Sequence, residues 1–402
     1  MLGSALISLT IVYLLCARSF SHLIFGTPTY TPYFYLLFGI NFFETLNQMP
    51  KAIFRAEKAS MRYAVLSLVT FTTKLLLVIY FVVALRQGVF GVLSGYFLNA
   101  VLSMLLYFPF IAKRLGLRFS GEELKRLLSY GLPLVLSGLA MVVLSSADRY
   151  YLNHFSTLSQ VGLYALGYQL GMVVLVVLVN PLSLIWPPML LAVKDDPEAR
   201  EYYSRSLTYF LLLGMFISCG VAGLAKEILH VIATPAFYPA YKIVFLICLS
   251  YVSLGAVRIL HVGIALQRKT QYEPLVVGIP AGINLLLNYF FVQRWGMMGA
   301  AWAMLLCCVL MAILQYAIAV RFYVVPYEWG RITKIILSGI ALYVVLHFVQ
   351  IGAIVPAIVV KGLLWVSFPF LLFLLGFYEP VEVRGIKEVT QKNARIWFGR
   401  KA

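Results

Sequence analysis

The 402 residues are 62% hydrophobic and 12% charged, with a formal net charge of +17 and a mean hydropathy of +0.91. No soluble protein hides that much apolar surface, and apolar runs far longer than ten-residue alternating strands exclude an outer-membrane barrel; what remains is an all-α polytopic membrane protein. The positive charge would suggest nucleic acid in a soluble domain, but the loop charges described below account for most of it, so no nucleic-acid partner is implied.

In chain order, twelve spans are predicted, at about 1–17, 32–54, 62–85, 88–112, 124–152, 161–192, 204–232, 239–266, 272–293, 297–321, 332–350 and 353–377. Each must be helical, because backbone groups facing lipid are satisfied only within their own segment. The start, Leu2–Cys16, lacks a basic leader and a small-residue cleavage site, so no cleavable signal peptide is expected. Residues 379–402 read as a basic cytoplasmic tail. Cys16, Cys219, Cys248, Cys307 and Cys308 all lie inside apolar runs, and no Cys/His spacing matches a metal site or a redox pair.

Lys and Arg are not evenly placed. One set of loops carries Arg55, Lys58 and Arg62, then Lys113, Arg114, Arg118, Lys125 and Arg126, then Lys194, Arg200 and Arg205, and so on to the tail. The alternate set carries little beyond Arg18, Arg86 and Arg294. The asymmetry puts the first set, and both termini, on the cytoplasmic side.

An internal repeat organises the spans. Thr27-Pro28-Thr29-Tyr30-Thr31-Pro32-Tyr33 recurs as Thr234-Pro235-Ala236-Phe237-Tyr238-Pro239-Ala240-Tyr241. Arg55-Ala56-Glu57-Lys58 with Tyr63 recurs loosely as Gln267-Arg268-Lys269 with Tyr272, and Gly88-x-x-Gly91 recurs as Gly296-x-x-Gly299. The offsets are all near about 208 residues, which pairs spans one to four with spans seven to ten in a six-helix unit. An even number of helices gives both copies one orientation, as in transporters with parallel halves. Spans five and six then lack twins, which are expected in roughly 85 residues before Met1. The expected organisation is an incomplete four-helix lobe over 1–112, a six-helix lobe over 113–321, an extra helix pair over 322–378, and the tail.

Ionisable groups inside spans need a function or an escape to the interface. Glu44, Asn47, Gln48, Lys51 and Arg55 share one helical face beside Pro50. That face reads as the lining of a water-filled cavity, with interhelical hydrogen bonding as the alternative. Lys74, in the middle of its span, reads as a pathway residue or as a structural partner of Glu44. Asp148–Arg149, followed by Tyr150 and Tyr151, sits at the expected outer interface, as a site or as an anchor, and Leu136–Ala140 and Leu144–Ala147 supply small residues for close helix contact. Arg258 and His261 share a face; Arg258 needs an anion or a lined cavity, while a lone histidine is equally a hydrogen-bonded core residue. Asn284 and Asn288 read as helix–helix glue, and Lys361 is expected to snorkel to the outer interface. Phosphate-binding glycine loops, Ser/His/Asp elbows and HExxH are absent from the sequence.

Short motifs tie these features to a family. Ile53-Phe54-Arg55-Ala56-Glu57-Lys58-x4-Tyr63, Ser129-Tyr130-Gly131-Leu132-Pro133, Asp148-Arg149-Tyr150-Tyr151-Leu152, Val161-Gly162-x-Tyr164 and Phe237-Tyr238-Pro239-Ala240 resemble the polysaccharide transporter family. These are flippases for lipid-linked O-antigen and capsule repeat units in the multidrug/oligosaccharidyl-lipid/polysaccharide exporter superfamily. The likeness implies two pseudo-symmetric lobes around a cavity, with two optional helices at the end. It also implies movement of an undecaprenyl-diphosphate-linked oligosaccharide across a bacterial or archaeal inner membrane by alternating access, without enzymatic chemistry. In that frame Lys74, Arg258 and Arg55 would meet the diphosphate. Glu44 and Asp148 would pair with them when empty or carry a coupling proton or sodium ion; no other cofactor is implied. Tyr164 and Tyr168 would stack on sugars. Expected partners are the lipid-linked oligosaccharide, membrane lipids, a glycan polymerase and a chain-length regulator. The competing readings are a drug/cation antiporter of the same superfamily, a membrane glycan polymerase or ligase, and an inactive remnant. The first would want unbalanced buried carboxylates, and the second a large outer loop that the sequence lacks.

Overall fold

The computed structural model describes residues 17–19, 21–22, 27–57, 59–112, 120–267, 269–349 and 352–379. The first predicted span and the basic tail therefore lie almost wholly outside the described residues. Among the described residues all regular structure is helical, and eight segments are long and apolar enough to cross a membrane. The chain divides into two compact units, Met1–Arg126 and Leu127–Ala402. Of the predicted six-helix lobe over 113–321, residues from 127 onward fall in the second unit together with the extra helix pair.

In the first unit, a 3-10 turn at Pro28–Tyr30 leads into α1 (Thr31–Ala56), followed by α2 (Ser60–Ile79) and α3 (Gly88–Ala112). Proline at the first position of a helical turn costs nothing, because its missing N–H would have no partner there. α2 runs on into a π turn, Tyr80–Ala84, and the chain reverses through Arg86 (φ +52°) and Gly88 (φ +55°). α3 then returns so close to α2 that a Cβ on Gly91 would stand 2.9 Å from the Phe81 carbonyl oxygen. The buried Asn47 donates from Nδ2 to the Ala100 carbonyl at 3.0 Å, tying α1 to α3. Asn47 thus belongs to helix packing and not to a cavity lining.

The boundary between units falls within α4 (Gly121–Phe155). Then come α5 (Leu158–Gly171), a π turn at Leu175–Val179, and α6 (Asn180–Ala192). α7 (Ala199–Gly223) and the short amphipathic α8 (Ala225–Ile232) precede a second 3-10 turn, Pro235–Ala240. α9 (Tyr241–Leu260) and α10 (Val262–Leu266) lead to α11 (Glu273–Ala319), which is two helices reversed at Gly296 (φ +52°). α12 (Trp329–Phe348), α13 (Ile354–Val366) and α14 (Phe368–Leu374) finish the described chain.

α9 is the axis of this unit, with Lys242 and Arg258 as its only fully exposed residues. Glycines let its neighbours approach: a Cβ on Gly167 would lie 2.7 Å from the Ala240 carbonyl oxygen, and one on Gly255 would strike the Phe210 ring at 2.2 Å. The sequence repeat has a structural counterpart. Both Thr-Pro motifs make 3-10 turns that start a helix, and Gly88 and Gly296 share a positive φ that a side chain rarely adopts. Gly299 repeats Gly91 more tightly, since a Cβ there would lie 2.1 Å from the Phe291 carbonyl oxygen.

Two expectations are corrected here, those for Lys361 and Gly138. Lys361 does not snorkel: it is 4% exposed and its Nζ lies 2.6 Å from Glu227 Oε1 on α8. Asn284 and Asn288 bond to each other, Asn288 Nδ2 to Asn284 Oδ1 at 2.9 Å, and Asn284 also meets Cys307 across the Gly296 reversal, so the pair serves helix packing as expected. Gly138, read as a close-contact position, meets no heavy atom within 4 Å of where a Cβ would stand. The close approaches lie instead on α7 and α12. Gly220 packs against the Trp365 indole, whose Nε1 donates to the Phe216 carbonyl at 2.8 Å, and Gly339 packs against Met215. At the other end of α7, Thr208 Oγ1 donates to Glu328 Oε2 at 2.6 Å.

Candidate functional site

In the second unit, the end of α4 and the start of α5 are brought side by side by the turn at Ser156–Thr157, where the Thr157 hydroxyl caps α5. That turn sets Asp148 and Tyr164 together. Asp148 is 1% exposed and accepts the hydroxyl proton of the fully buried Tyr164 in a hydrogen bond. Arg149 points elsewhere, as adjacent residues on a helix must. It is exposed, and its guanidinium carbon lies 4.7 Å from the centre of the Tyr168 ring. Asp148 and Arg149 make no salt bridge with each other, so the pair splits into an inward carboxylate and an outward cation.

The row continues onto α9. Tyr168 meets Tyr251 edge to face at 5.9 Å between ring centres. Arg258 lies seven residues beyond Tyr251, so it shares that face about 10 Å further along the axis. It is exposed, and among the described residues it makes no ion pair. The face therefore reads cation, ring, ring, cation. A guanidinium always carries its proton, so within a membrane it is stable only beside water or an anion. The Tyr168 and Tyr251 rings are 7% and 4% exposed and Tyr164 is fully buried, so these tyrosines pack in the core and do not present the sugar-stacking surface expected of Tyr164 and Tyr168.

His261 does not extend this row. It sits at the break between α9 and α10, with Nδ1 2.6 Å from Glu273 Oε1 and 3.4 Å from Gln315 Nε2. Its contacts are those of a core histidine held by a carboxylate and an amide. Nothing in the sequence pointed to Glu273, at the start of the predicted 272–293 span, or to the buried Gln315.

The remaining candidates belong to the first unit and form two separate groups. Glu44 and Lys51 pair at 3.9 Å, with Lys51 Nζ 5.8 Å from the Tyr107 ring centre and Gln48 exposed beside them. Lys74 stands 5.2 Å over the Tyr96 ring on α3. Glu44 is thus the partner of Lys51 and not of Lys74. The Arg55 side chain lies outside the described set. Among the described residues no cluster of His, Cys, Asp and Glu is suited to a metal ion, and the described cysteines are buried and unpaired.

Comparison with known proteins agrees with the architecture. A mutant of the Vibrio cholerae MATE transporter VcmN is similar at a TM-score of 0.68 with 17% identity, over 80% of this chain and 77% of that one. The lipid II flippase MurJ, in an inward closed conformation, is similar at 0.65 with 14% identity, over 94% and 82%. A MOP superfamily transporter from Pyrococcus furiosus is similar at a TM-score of 0.63 with 15% identity, over 82% and 76%. At these identities the likeness shows the shared fold of polytopic transporters. No curated protein sequence matches the chain. The family model described as polysaccharide biosynthesis protein matches residues 2–242, more than half of the 402, and the chain belongs to that family.

Proposed function

We propose that the protein is a flippase that moves an undecaprenyl-diphosphate-linked oligosaccharide across the inner membrane by alternating access, with both termini cytoplasmic. The observation that carries the reading is the Arg149–Tyr168–Tyr251–Arg258 face. A diphosphate entering a low-dielectric region loses hydration worth many kcal/mol, and fixed guanidinium groups are the side chains that best replace it. The two rings between the arginines are themselves buried, so they brace the cationic face from behind and leave the two guanidinium groups to meet the cargo. No bond is made or broken in such a task, so the protein acts as a transporter. The cargo is an O-antigen, capsule or exopolysaccharide repeat unit, later joined by a polymerase and a chain-length regulator. Family membership supports the cargo class, and the likeness to a structure described as a lipid II flippase supports the transport mode.

A second reading, a drug/cation antiporter, rests on Asp148, a buried carboxylate that no cation pairs with among the described residues. In a flippase the same group would carry a coupling proton or sodium ion.

Translocation of a polyprenyl-diphosphate oligosaccharide into reconstituted vesicles separates the two. Arg149→Ala and Arg258→Ala should each slow translocation about tenfold or more, the scale of one lost charge-assisted contact, while the protein stays folded. Unchanged glycolipid translocation in the double variant would sink the flippase reading. Drug efflux that depends on Asp148 and ignores both arginines would establish the other.

A further inference from the structure

Two cavities of the second unit share a wall residue, His347. The first, about 410 Å³, is polar and is lined by Lys226, Glu227, His230 and Lys361 as well as His347. The second, about 640 Å³, is an apolar groove between α9, α11 and α12, walled by Phe245, Leu249, Trp302, Leu305, Ile340 and Val344. Lys242 also lines the groove, at the same end as His347. By the loop charges that end faces outward. The Tyr241, Tyr343 and His347 rings cluster there within 6.1 Å of one another's centres along the chain Tyr241–His347–Tyr343.

The polar groups have specific needs. Glu227 is 7% exposed; its Oε1 takes the Lys361 ammonium at 2.6 Å, but its Oε2 has no hydrogen-bond partner. A carboxylate oxygen only accepts, so a ligand here must bring a donor. Lys361 also donates to the Gly223 carbonyl at 3.2 Å, and His230 keeps Nδ1 against the Lys226 carbonyl at 2.6 Å. Lys226 and Lys242 make no ion pair among the described residues, so the walls carry two cations that the anion of a ligand can meet.

An apolar tail, an anion and a hydrogen-bond donor joined in one molecule describe an aminophospholipid. We propose that the two neighbouring cavities, on either side of His347, together hold one such lipid of the surrounding membrane. An acyl chain lies along the groove, the phosphate sits among Lys226, Lys242 and His347, and the primary ammonium reaches Glu227 Oε2. The site lies in the second unit, away from the Arg149–Arg258 face, and does not depend on the transport reading. It joins α12 and α13 to α8 and α9 through a lipid as well as through the Lys361–Glu227 pair.

Native mass spectrometry of the full-length protein in detergent tests this, with phosphatidylethanolamine and phosphatidylcholine of identical chains as probes. The two share tails and phosphate, but only the first carries N–H donors. Phosphatidylethanolamine should be retained about tenfold more than phosphatidylcholine, the scale of one charge-assisted hydrogen bond. Glu227→Gln should abolish that preference. Lys242→Glu, which reverses a charge at an exposed position, and Ile340→Trp, which fills the groove, should lower retention of both lipids; these two decide the matter if Glu227→Gln does not fold. Equal retention of the two lipids, stronger retention of phosphatidylglycerol than of phosphatidylethanolamine, or retention untouched by Lys242→Glu and Ile340→Trp would each overturn the proposal.

Discussion

The two units are built from the same repeat but bury it to very different depths. In the first, α2 presents a membrane-length window with no buried residue, and among the described residues the buried hydrophobic side chains are few, Phe54, Ala100 and Tyr107 among them. In the second, 83% of the most apolar window around α9 is buried, and one continuous cluster runs from Leu144 to Phe377. The consequence shows in how charge is handled. Glu44, Lys51 and Lys74 are half-exposed and lean on one ring or one another. Asp148 and Lys361 are enclosed, each held by a partner from a distant stretch of chain. The second unit therefore fixes these charged groups in place, whereas the first leaves Glu44, Lys51 and Lys74 free to re-pair.

The sharpest way to break this contrast is the repeated glycine. Gly299→Ala drives a methyl to 2.1 Å from a backbone oxygen that cannot rotate away, and Gly91→Ala to 2.9 Å. Overpacking costs about 1–3 kcal/mol in typical cores and more where backbone must move. Gly299→Ala should therefore exceed about 3 kcal/mol and Gly91→Ala stay near the low end, read as thermal unfolding of the purified variants. Equal losses would mean that the two hairpins are equally tight.

The next largest effect lies in the ion pairs. Removing one partner of a buried pair costs about 3–5 kcal/mol, whereas replacing both by apolar groups is often neutral. Lys361→Met alone should show that loss, and Lys361→Met with Glu227→Leu should recover most of it. In the first unit Lys51→Met should cost less than about 1 kcal/mol, because its pair with Glu44 is solvent-screened. Below these comes Tyr164→Phe, which strips Asp148 of its one side-chain donor and should cost about 1–3 kcal/mol.

What the sequence disclosed follows the range of the interaction. The spans, the loop charges and the repeat are local patterns, and the paired turns at Gly88 and Gly296 were readable from two glycines three residues apart. Arg258 stood out because a charge inside an apolar run needs no partner to be noticed. The partners themselves were hidden. Tyr164 is sixteen residues from Asp148 and Glu227 is 134 from Lys361, so helical spacing could not join either pair. Glu227 drew no notice at the end of the predicted 204–232 span, and Lys361 looked close enough to the interface to escape. Asn47 shows the opposite error: it shares the helix with Glu44 and Lys51, yet its amide is spent on the Ala100 carbonyl.

Lys74 offers the smallest effect on stability and the cleanest test of whether the looser unit takes part in transport. Its visible contact is the Tyr96 ring at 5.2 Å, an interaction worth about 0.5–1 kcal/mol where water reaches it. Lys74→Met keeps the length and apolar stem, so the unfolding temperature should barely move. If Lys74 serves the anionic cargo, translocation should nonetheless fall about tenfold, and Lys74→Arg, which keeps the charge, should recover most of it. A Lys74→Met protein that translocates at the parent rate would confine cargo recognition to the arginine and tyrosine face of the second unit. A drop in stability matching the drop in rate would instead make Lys74 a packing residue, paired with its ring and nothing more.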